Sequence, residues 1–370
     1  MSTQIQHGYL VLADISGYTS FMAGTELDHA HAVMSELLEL IIDRFKPMLT
    51  LSKLEGDAVF AYAVESKVPR GETLIELIES TYVAFKDRVE AVHRRTTCTC
   101  NACRAIPTLD LKFMAHHGDY IFQRTAGIVE LVGSDVNLVH RLLKNHVKEA
   151  TGWNAYALFT ERCLEHLSLK PEGMHAQPEA YEHLGEVLTH SLNLRARYQA
   201  LTETRHILVT REDALITATY HFPAPPTRVW DWINDPHRRA QYTLQRGLEF
   251  RPILRPGGRT GVGARTHCMH GKDQAMEEDI LDWKPFDYIT VEQRFWGFKM
   301  LMTVGLTPEP DGTQMEVFIK GRSPAPGFLN RPMFVFMLTQ AFPMVKLFEN
   351  MGRCLAEEWA QVQAETAAVV

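Results

Sequence analysis

Gly8-Tyr-Leu-Val-Leu-Ala-Asp14-Ile-Ser-Gly17-Tyr-Thr19 is the stretch whose reading decides the fold. Its apolar run is what a buried strand shows, and it ends on an Asp followed by a Gly-containing turn. From Glu26 to Phe45, apolar residues recur at Val33, Leu37, Leu38, Ile41 and Phe45. That is the spacing of an amphipathic helix, and Pro47 stops it. Met48–Leu54 and Ala58–Ala63 read as strands meeting at Glu55-Gly56-Asp57, a hairpin turn. A second long helix is expected over Glu72–Arg94, then strands over Leu109–Ala115 and around Gly127–Val132. Ser134 or Asp135 is expected to cap a helix running to about His146. Strands and helices alternate without neat βαβ units, which predicts an α+β domain over residues 1–205.

The character changes after it. Residues 206–213 read as a linker, and a second domain is expected over 214–370. Ala214–Phe222 alternates like a half-buried strand, and Pro225, Pro226 and Thr227 lead into a short helix through Val229, Trp230 and Trp232. Strand-like runs follow at Ala264–His270, Tyr288–Phe295, Lys299–Leu306 and Thr313–Lys320. A closing helix is expected from Arg331 to about Ala364, kinked at Pro343.

Composition sets outer bounds. A chain of 370 residues has room for two cores. Its formal charge of −7 argues against an electrostatic nucleic-acid binder. The N-terminus has neither a basic nor an apolar leader region. The most apolar long stretch, Met333–Val345, is broken by Gln340 and Pro343, so no membrane span is expected. Three of the six cysteines crowd into one loop, unlike a secreted disulfide scaffold, and a cytoplasmic location follows as the expectation.

Asp14 at a strand end and Asp57 at a hairpin tip are carboxylates able to converge on divalent cations such as Mg²⁺ or Mn²⁺. The turn at Gly17 offers backbone N–H groups near a helix start, a seat for phosphate. Read singly, each is equally a cap or turn residue. Asn137 and Arg141, four apart, project from one helix face. Taken alone they read as a cap and a solvated charge; beside the two Asp motifs they read as a pair aimed at one site.

Together the blocks carry a resemblance. Asp14-Ile-Ser-Gly17-Tyr18-Thr19, Lys53-Leu-Glu-Gly56-Asp57 and Gly133-Ser-Asp-Val136-Asn137-Leu-Val-His-Arg141 resemble, in order, the motifs of class III nucleotidyl cyclases. The resemblance implies a ferredoxin-like cyclase catalytic domain that turns ATP, or GTP, into a 3′,5′-cyclic nucleotide. Asp14 and Asp57 would hold two metal ions. Ile15, Ser16, Gly17, Tyr18 and Thr19 would cradle the triphosphate. Lys53 and Glu130 fall at the base-reading positions, Asn137 at the ribose position, and Arg141 at the position that neutralises the α-phosphate. Glu130 departs from the usual Asp or Thr, and Val139 from the usual Ala. The pair Lys53 and Glu130 leans toward ATP. The family builds its site from opposite subunits, which implies a homodimer with composite sites.

Cys98, Cys100 and Cys103 offer three thiols in six residues: a Zn²⁺ site that needs a fourth ligand from elsewhere, such as His93 or a partner chain, a redox-sensitive loop, or simply small surface residues. His116-His117 is expected at a strand end, in a structural role.

The second domain resembles the helix-grip fold of the START-like (SRPBCC, polyketide cyclase-like) superfamily. The likeness rests on element order and on Pro225-Pro-Thr-Arg-Val229-Trp-Asp-Trp-Ile-Asn-Asp-Pro236. It implies a cavity for a small hydrophobic ligand beneath the last helix. That helix carries Met333, Phe334, Phe336, Met337, Leu338, Phe342, Met344, Leu347, Phe348 and Met351. A packed core explains the same residues. Trp296 and Phe298 are candidates for the pocket or its mouth, whereas His267 and Cys268 fall on opposite strand faces. The leading expectation is therefore a ligand-tuned cyclase. The alternatives are a silent nucleotide-binding sensor and an SRPBCC-type enzyme acting on a polyketide- or lipid-like substrate.

Overall fold

The computed structural model describes residues 5–68, 70–95, 101–202, 206–243, 248–270, 273–325, 327–341 and 344–369. The chain divides into two compact units, Met1–Glu203 and Thr204–Val370.

The first unit runs β1 (Gln6–Ser16), α1 (Tyr18–Ala23), α2 (Leu27–Phe45), β2 (Thr50–Glu55), β3 (Ala58–Val64), α3 (Gly71–Arg95), α4 (Asn101–Ala105) and β4 (Asp110–Thr125). It continues with β5 (Ile128–Val132), α5 (Ser134–Arg141), α6 (Val147–Thr151), β6 (Tyr156–Thr160), α7 (Glu161–His166), β7 (His175–Tyr181), β8 (Gly185–Asn193) and α8 (Leu194–Thr202). Its sheet has the order β2-β3-β1-β4-β6-β8-β7, with β5 paired to β4. The first four strands and the helices between them form the βαββαβ order of a ferredoxin-like core, with β1 antiparallel to both β3 and β4.

Period-two alternation sends β1 to two cores. Leu10 and Leu12 pack with Phe60, Met114 and Leu158 beneath Val136 and Val139 of α5. On the opposite face Phe113 meets Phe45 of α2. β1 is thus buried on both sides, which is why it reads as a continuous apolar run.

Helix α5 passes at Arg141 into a 3-10 turn, Leu142–Lys144, and the run stops just short of His146 because Asn145 is extended (φ −80°, ψ 170°) and its side-chain oxygen accepts from the Val147 N–H of the next helix. Two local expectations need correction. Neither Ser134 nor Asp135 caps α5; Gly133 stands at its N-cap and Asp135 instead accepts from the Asp119 N–H at 2.7 Å. β4 runs on to Thr125, so His116 and His117 lie mid-strand rather than at a strand end.

The second unit comprises β9 (Ile216–Phe222), α9 (Pro226–Asn234), α10 (Pro236–Tyr242), β10 (Leu248–Leu254), β11 (Arg265–His270), β12 (Asp273–Lys284), β13 (Tyr288–Phe295), β14 (Phe298–Glu309), β15 (Gly312–Arg322), α11 (Asn330–Phe336) and α12 (Met344–Val369). All seven strands are antiparallel, in the order β10-β11-β12-β13-β14-β15-β9. Helix α12 buries Phe348, Met351 and Leu355. Its Glu358 accepts from Trp232 of α9 at 2.6 Å and pairs with both guanidinium nitrogens of Arg238 on α10. The closing helix is not continuous: a π-helical turn at Met337–Ala341 interrupts it. Pro343, the expected kink, lies outside the described residues. No helix among the described residues is long and apolar enough to cross a membrane.

Candidate functional site

The ferredoxin-like order places the end of β1 beside the start of β3. Asp14 is paired with Ala58, one residue beyond Asp57, and the Asp57 carbonyl accepts from the Ile15 N–H at 3.2 Å. Both carboxylates therefore open on one cleft of about 810 Å³, which Ile15, Ser16, Gly17, Tyr18 and Thr19 also line. Gly17 sits at φ 91°, a conformation that L side chains rarely adopt, and its carbonyl accepts from the Phe21 N–H at 2.9 Å. The strand-to-helix turn is thereby fixed, and the first N–H groups of α1 are left without intrahelical partners. Gly56, at φ 68°, closes the β2–β3 hairpin that presents Asp57.

Burial raises the Asp57 carboxyl above its ordinary value, and the neighbouring Asp14 charge raises it further. Opposite Asp14 on β4 stands Lys112, whose Nζ is 3.1 Å from Asp14 Oδ2. Sequence reading missed Lys112, because only strand register brings it there. It also missed the far wall, formed by Asn145, Lys148, Glu149, Trp153 and Tyr156. The hydroxyl of Tyr156 donates to Asn145 Oδ1 at 3.0 Å, and burial pushes this phenol up to about 12. A basic and aromatic cluster soon after the Asn-x-x-x-Arg helix was the available signal.

Two hard oxygen donors that repel each other at the mouth of a polar cleft suit Mg²⁺ or Mn²⁺, since a dication relieves the like-charge penalty. The donor chemistry fits the expected ions.

The other expected residues stand outside this cleft. Asn137 and Arg141 are exposed on α5 and Glu130 is exposed on β5. Lys53 is half-buried on β2, with Nζ 2.8 Å from Glu55 Oε1. The second oxygen of Glu55 is 3.1 Å from His140 Nδ1 on α5, which ties Lys53 to the helix that carries Asn137 and Arg141. His140 packs its ring on Phe60 at 4.7 Å, and burial lowers its basicity. The structure thus sorts the expected residues into two groups on one domain. Cys98 and Cys100 lie outside the described residues, as does the side chain of Cys103.

In the second unit a small cavity of about 60 Å³ lies between α12 and the sheet, with Ile289, Val291, Met302, Leu347 and Phe348 in its wall. It is much smaller than the ~300 Å³ at which small-molecule sites begin. Its wall also holds a buried ion pair, Arg239 to Glu278 at 2.6 and 2.9 Å, with Gln293 donating to Glu278 at 2.6 Å. The expected purely apolar lining is therefore incomplete. Of the expected pocket residues, Phe334, Met337, Leu338, Phe348 and Met351 are core, while Met333 and Phe336 are exposed. Phe342 and the side chain of Met344 lie outside the described residues. Trp296 and Phe298 line a separate open groove with Arg294, Lys299 and Arg322. Cys268 is buried, and burial pushes its thiol up to about 11, which makes it an inert core residue.

The chain belongs to the family of the uncharacterized protein Rv2561/Rv2562 of Mycobacterium tuberculosis (strain ATCC 25618 / H37Rv). The two are 36% identical over 169 residues, covering 44% of this chain and 73% of that protein. Residues 34–151 match a family described as a protein of unknown function (DUF2652). Residues 213–351 match the family described as polyketide cyclase / dehydrase and lipid transport, so the C-terminal domain is of the SRPBCC type. Among solved structures, a bacterial light-regulated adenylyl cyclase is 12% identical with a TM-score of 0.41, covering 52% of this chain and 53% of its own. The adenylyl cyclase CyaB from P. aeruginosa is 14% identical with a TM-score of 0.37, covering 52% and 96%. This chain spans about half the length of the light-regulated enzyme.

Proposed function

We propose that the N-terminal domain is a metal-dependent nucleotidyl cyclase, with ATP the favoured substrate over GTP, working as a homodimer. The observation that carries this reading is the cleft itself, where Asp14, Asp57 and the turn Ile15–Thr19 converge. Asp14 and Asp57 hold two Mg²⁺ or Mn²⁺ ions, and the Ile15–Thr19 backbone holds the triphosphate. The ions would supply positive charge that favours ionisation of the ribose 3′-hydroxyl and offsets the charge of the triphosphate. In the reaction the 3′-oxygen bonds to the α-phosphorus, the bond to the β-phosphate oxygen breaks, pyrophosphate leaves and the hydroxyl proton is released.

Lys53 and Glu130 read the base, Asn137 orients the ribose, and Arg141 neutralises charge on the α-phosphate. None of these four lines the Asp14 cleft of their own chain, and the tie Lys53–Glu55–His140 joins the first of them to α5. That separation supports a site shared between two copies of the chain. The C-terminal domain acts as a sensor. Its ligand is a small hydrophobic molecule held against Ile289, Val291, Met302, Leu347 and Phe348, and α12 has to move for it to enter.

Incubation of the purified protein with ATP or GTP plus Mn²⁺, beside Asp57→Ala, tests the reading. Cyclic AMP from the wild type and none from the variant is the expected result; equal product from both overturns the site. One contact favours a second reading, a nucleotide sensor without turnover. Lys112 already supplies Asp14 with a cation, so nucleotide bound without product, with or without Mn²⁺, selects this alternative.

A further inference from the structure

Away from the cleft, the N-terminal domain gathers a second set of ionisable side chains from three distant segments. Glu65 opens the short 3-10 turn after β3, His117 lies in mid-β4, and His166 ends α7. His117 Nε2 is 2.7 Å from Glu65 Oε1, and His166 Nδ1 is 3.6 Å from the same oxygen. One ligand atom from each residue lies within 4.8 Å of the other two. None of the three lines the Asp14 cleft.

We propose that Glu65, His117 and His166 form a transition-metal site, binding Zn²⁺ or a similar borderline divalent ion through two imidazole nitrogens and one carboxylate oxygen. Two imidazoles and a carboxylate are a donor set that zinc uses when it keeps a position open to solvent. With metal–ligand bonds of about 2.0–2.2 Å, tetrahedral ligand atoms stand roughly 3.3 Å apart. The two separations from Glu65 bracket that length, and the two imidazole nitrogens lie within 4.8 Å of each other.

The electrostatics favour a ligand role. Burial holds the His117 imidazole below its ordinary pKa, against the pull of Glu65, which lessens the competition of a proton with an ion for the ring. Tyr9 packs against this ring at 5.0 Å and 71°, which fixes its orientation. A dication would sit on Glu65, the single negative charge of the three.

Two features set the character of the site. The rings of His117 and His166 stack at 3.6 Å with 12° between their planes, and no ion lies in two parallel planes at once. His166 therefore turns on binding, and its 43% side-chain exposure leaves it free to do so. Ligation at Nε2 also leaves the ring proton of His117 on Nδ1, a buried atom with no hydrogen-bond partner. Both features cost affinity. The site is an exchangeable one that senses the ion, not a permanent staple.

Titration of the full-length protein with Co²⁺, followed by displacement with Zn²⁺, tests the proposal. The expected result is a visible d–d absorption without thiolate-to-metal charge transfer, abolished by Zn²⁺ and kept in Asp57→Ala. Apparent affinity falls at least about tenfold in His166→Ala and in Glu65→Gln. Both side chains are substantially exposed, so melting midpoints of the metal-free variants should match the wild type. The proposal is overturned by four results. These are no absorption, absorption with thiolate charge transfer, absorption undiminished in both His166→Ala and Glu65→Gln, and absorption lost in Asp57→Ala. The last would place the ion in the nucleotide cleft instead.

Discussion

Two of the acidic centres among the described residues, the Asp14–Asp57 pair and Glu278, are built on opposite principles. In the N-terminal cleft, Asp14 and Asp57 are like charges held together, and Asp57 is raised by burial and by its neighbour. In the C-terminal cavity, Glu278 is buried as well, which alone raises it, yet the Arg239 guanidinium overrides this and holds it below the ordinary range. The second centre is complete without a ligand. The first improves when a cation arrives. A carboxylate cluster that the fold leaves in mutual repulsion marks a binding site, whereas one that the fold neutralises serves structure.

That contrast makes Glu278→Ala the change with the largest expected effect on folding. It strands the Arg239 charge in the core and should cost roughly 3–5 kcal/mol in the urea unfolding of the C-terminal domain. An unchanged midpoint would place Glu278 among the ligand-binding groups. Asp57→Ala should do the reverse, leaving the unfolding midpoint in place while cyclic nucleotide formation falls about a thousandfold. If the fold collapsed instead, the two centres would be alike and both structural.

Mixing sharpens the comparison further. Asp57→Ala and Arg141→Ala chains are each expected to be inactive. In a composite-site dimer, co-expression should restore roughly a quarter of the wild-type rate, because half the dimers are mixed and each of those holds one intact site. No recovery would mean that each chain works alone or not at all.

The smallest effect is on pH dependence. Because the folded-state pKa of Asp57 is raised, its contribution to stability is present in acid and lost as pH rises through that value. The wild type should therefore lose stability relative to Asp57→Asn over that rise, by a few tenths of a kcal/mol in this half-exposed setting. Mg²⁺ should recover the difference in the wild type only. Melting curves of both proteins across acid to neutral pH, with and without Mg²⁺, check the sign.

Much of the first domain is legible because its elements are dictated locally. β1, α2, the β2–β3 hairpin and α3 each follow from apolar period or from turn residues. The last strands were not assigned. β6, Tyr-Ala-Leu-Phe-Thr at 156–160, is buried throughout and too short to show a period, and it pairs in parallel with β4 from far along the chain. β12, Asp-Gln-Ala-Met-Glu-Glu-Asp-Ile-Leu-Asp-Trp-Lys at 273–284, was not assigned either, since its acids break the apolar alternation of a strand. It is a strand because Arg294 on β13 meets Glu277 at 2.6 Å, Arg265 on β11 meets Asp279 at 2.6 Å, and Arg239 meets Glu278. No local pattern contains those partners.

The proposed site divides the same way. Asp14, Gly17 and Asp57 were found from sequence because strand end, turn and hairpin tip are local features. Lys112, Asn145, Lys148 and Trp153 were not, since each reaches the cleft only through the packing of separate elements. His117 was assigned a structural role; its closeness to Glu65 and His166 depends on three segments meeting in space.

By itself, then, the sequence determined two α+β domains, the first strand, helix and hairpin of the first and the acidic residues that open its cleft, because backbone sterics, turn chemistry and apolar period act over a few residues. Tertiary structure alone decided which cation faces Asp14, that the C-terminal cavity is small and floored by an ion pair, and that two histidines and a glutamate converge. Those are matters of strand register and long-range packing, where the energy of a contact depends on residues a hundred positions away.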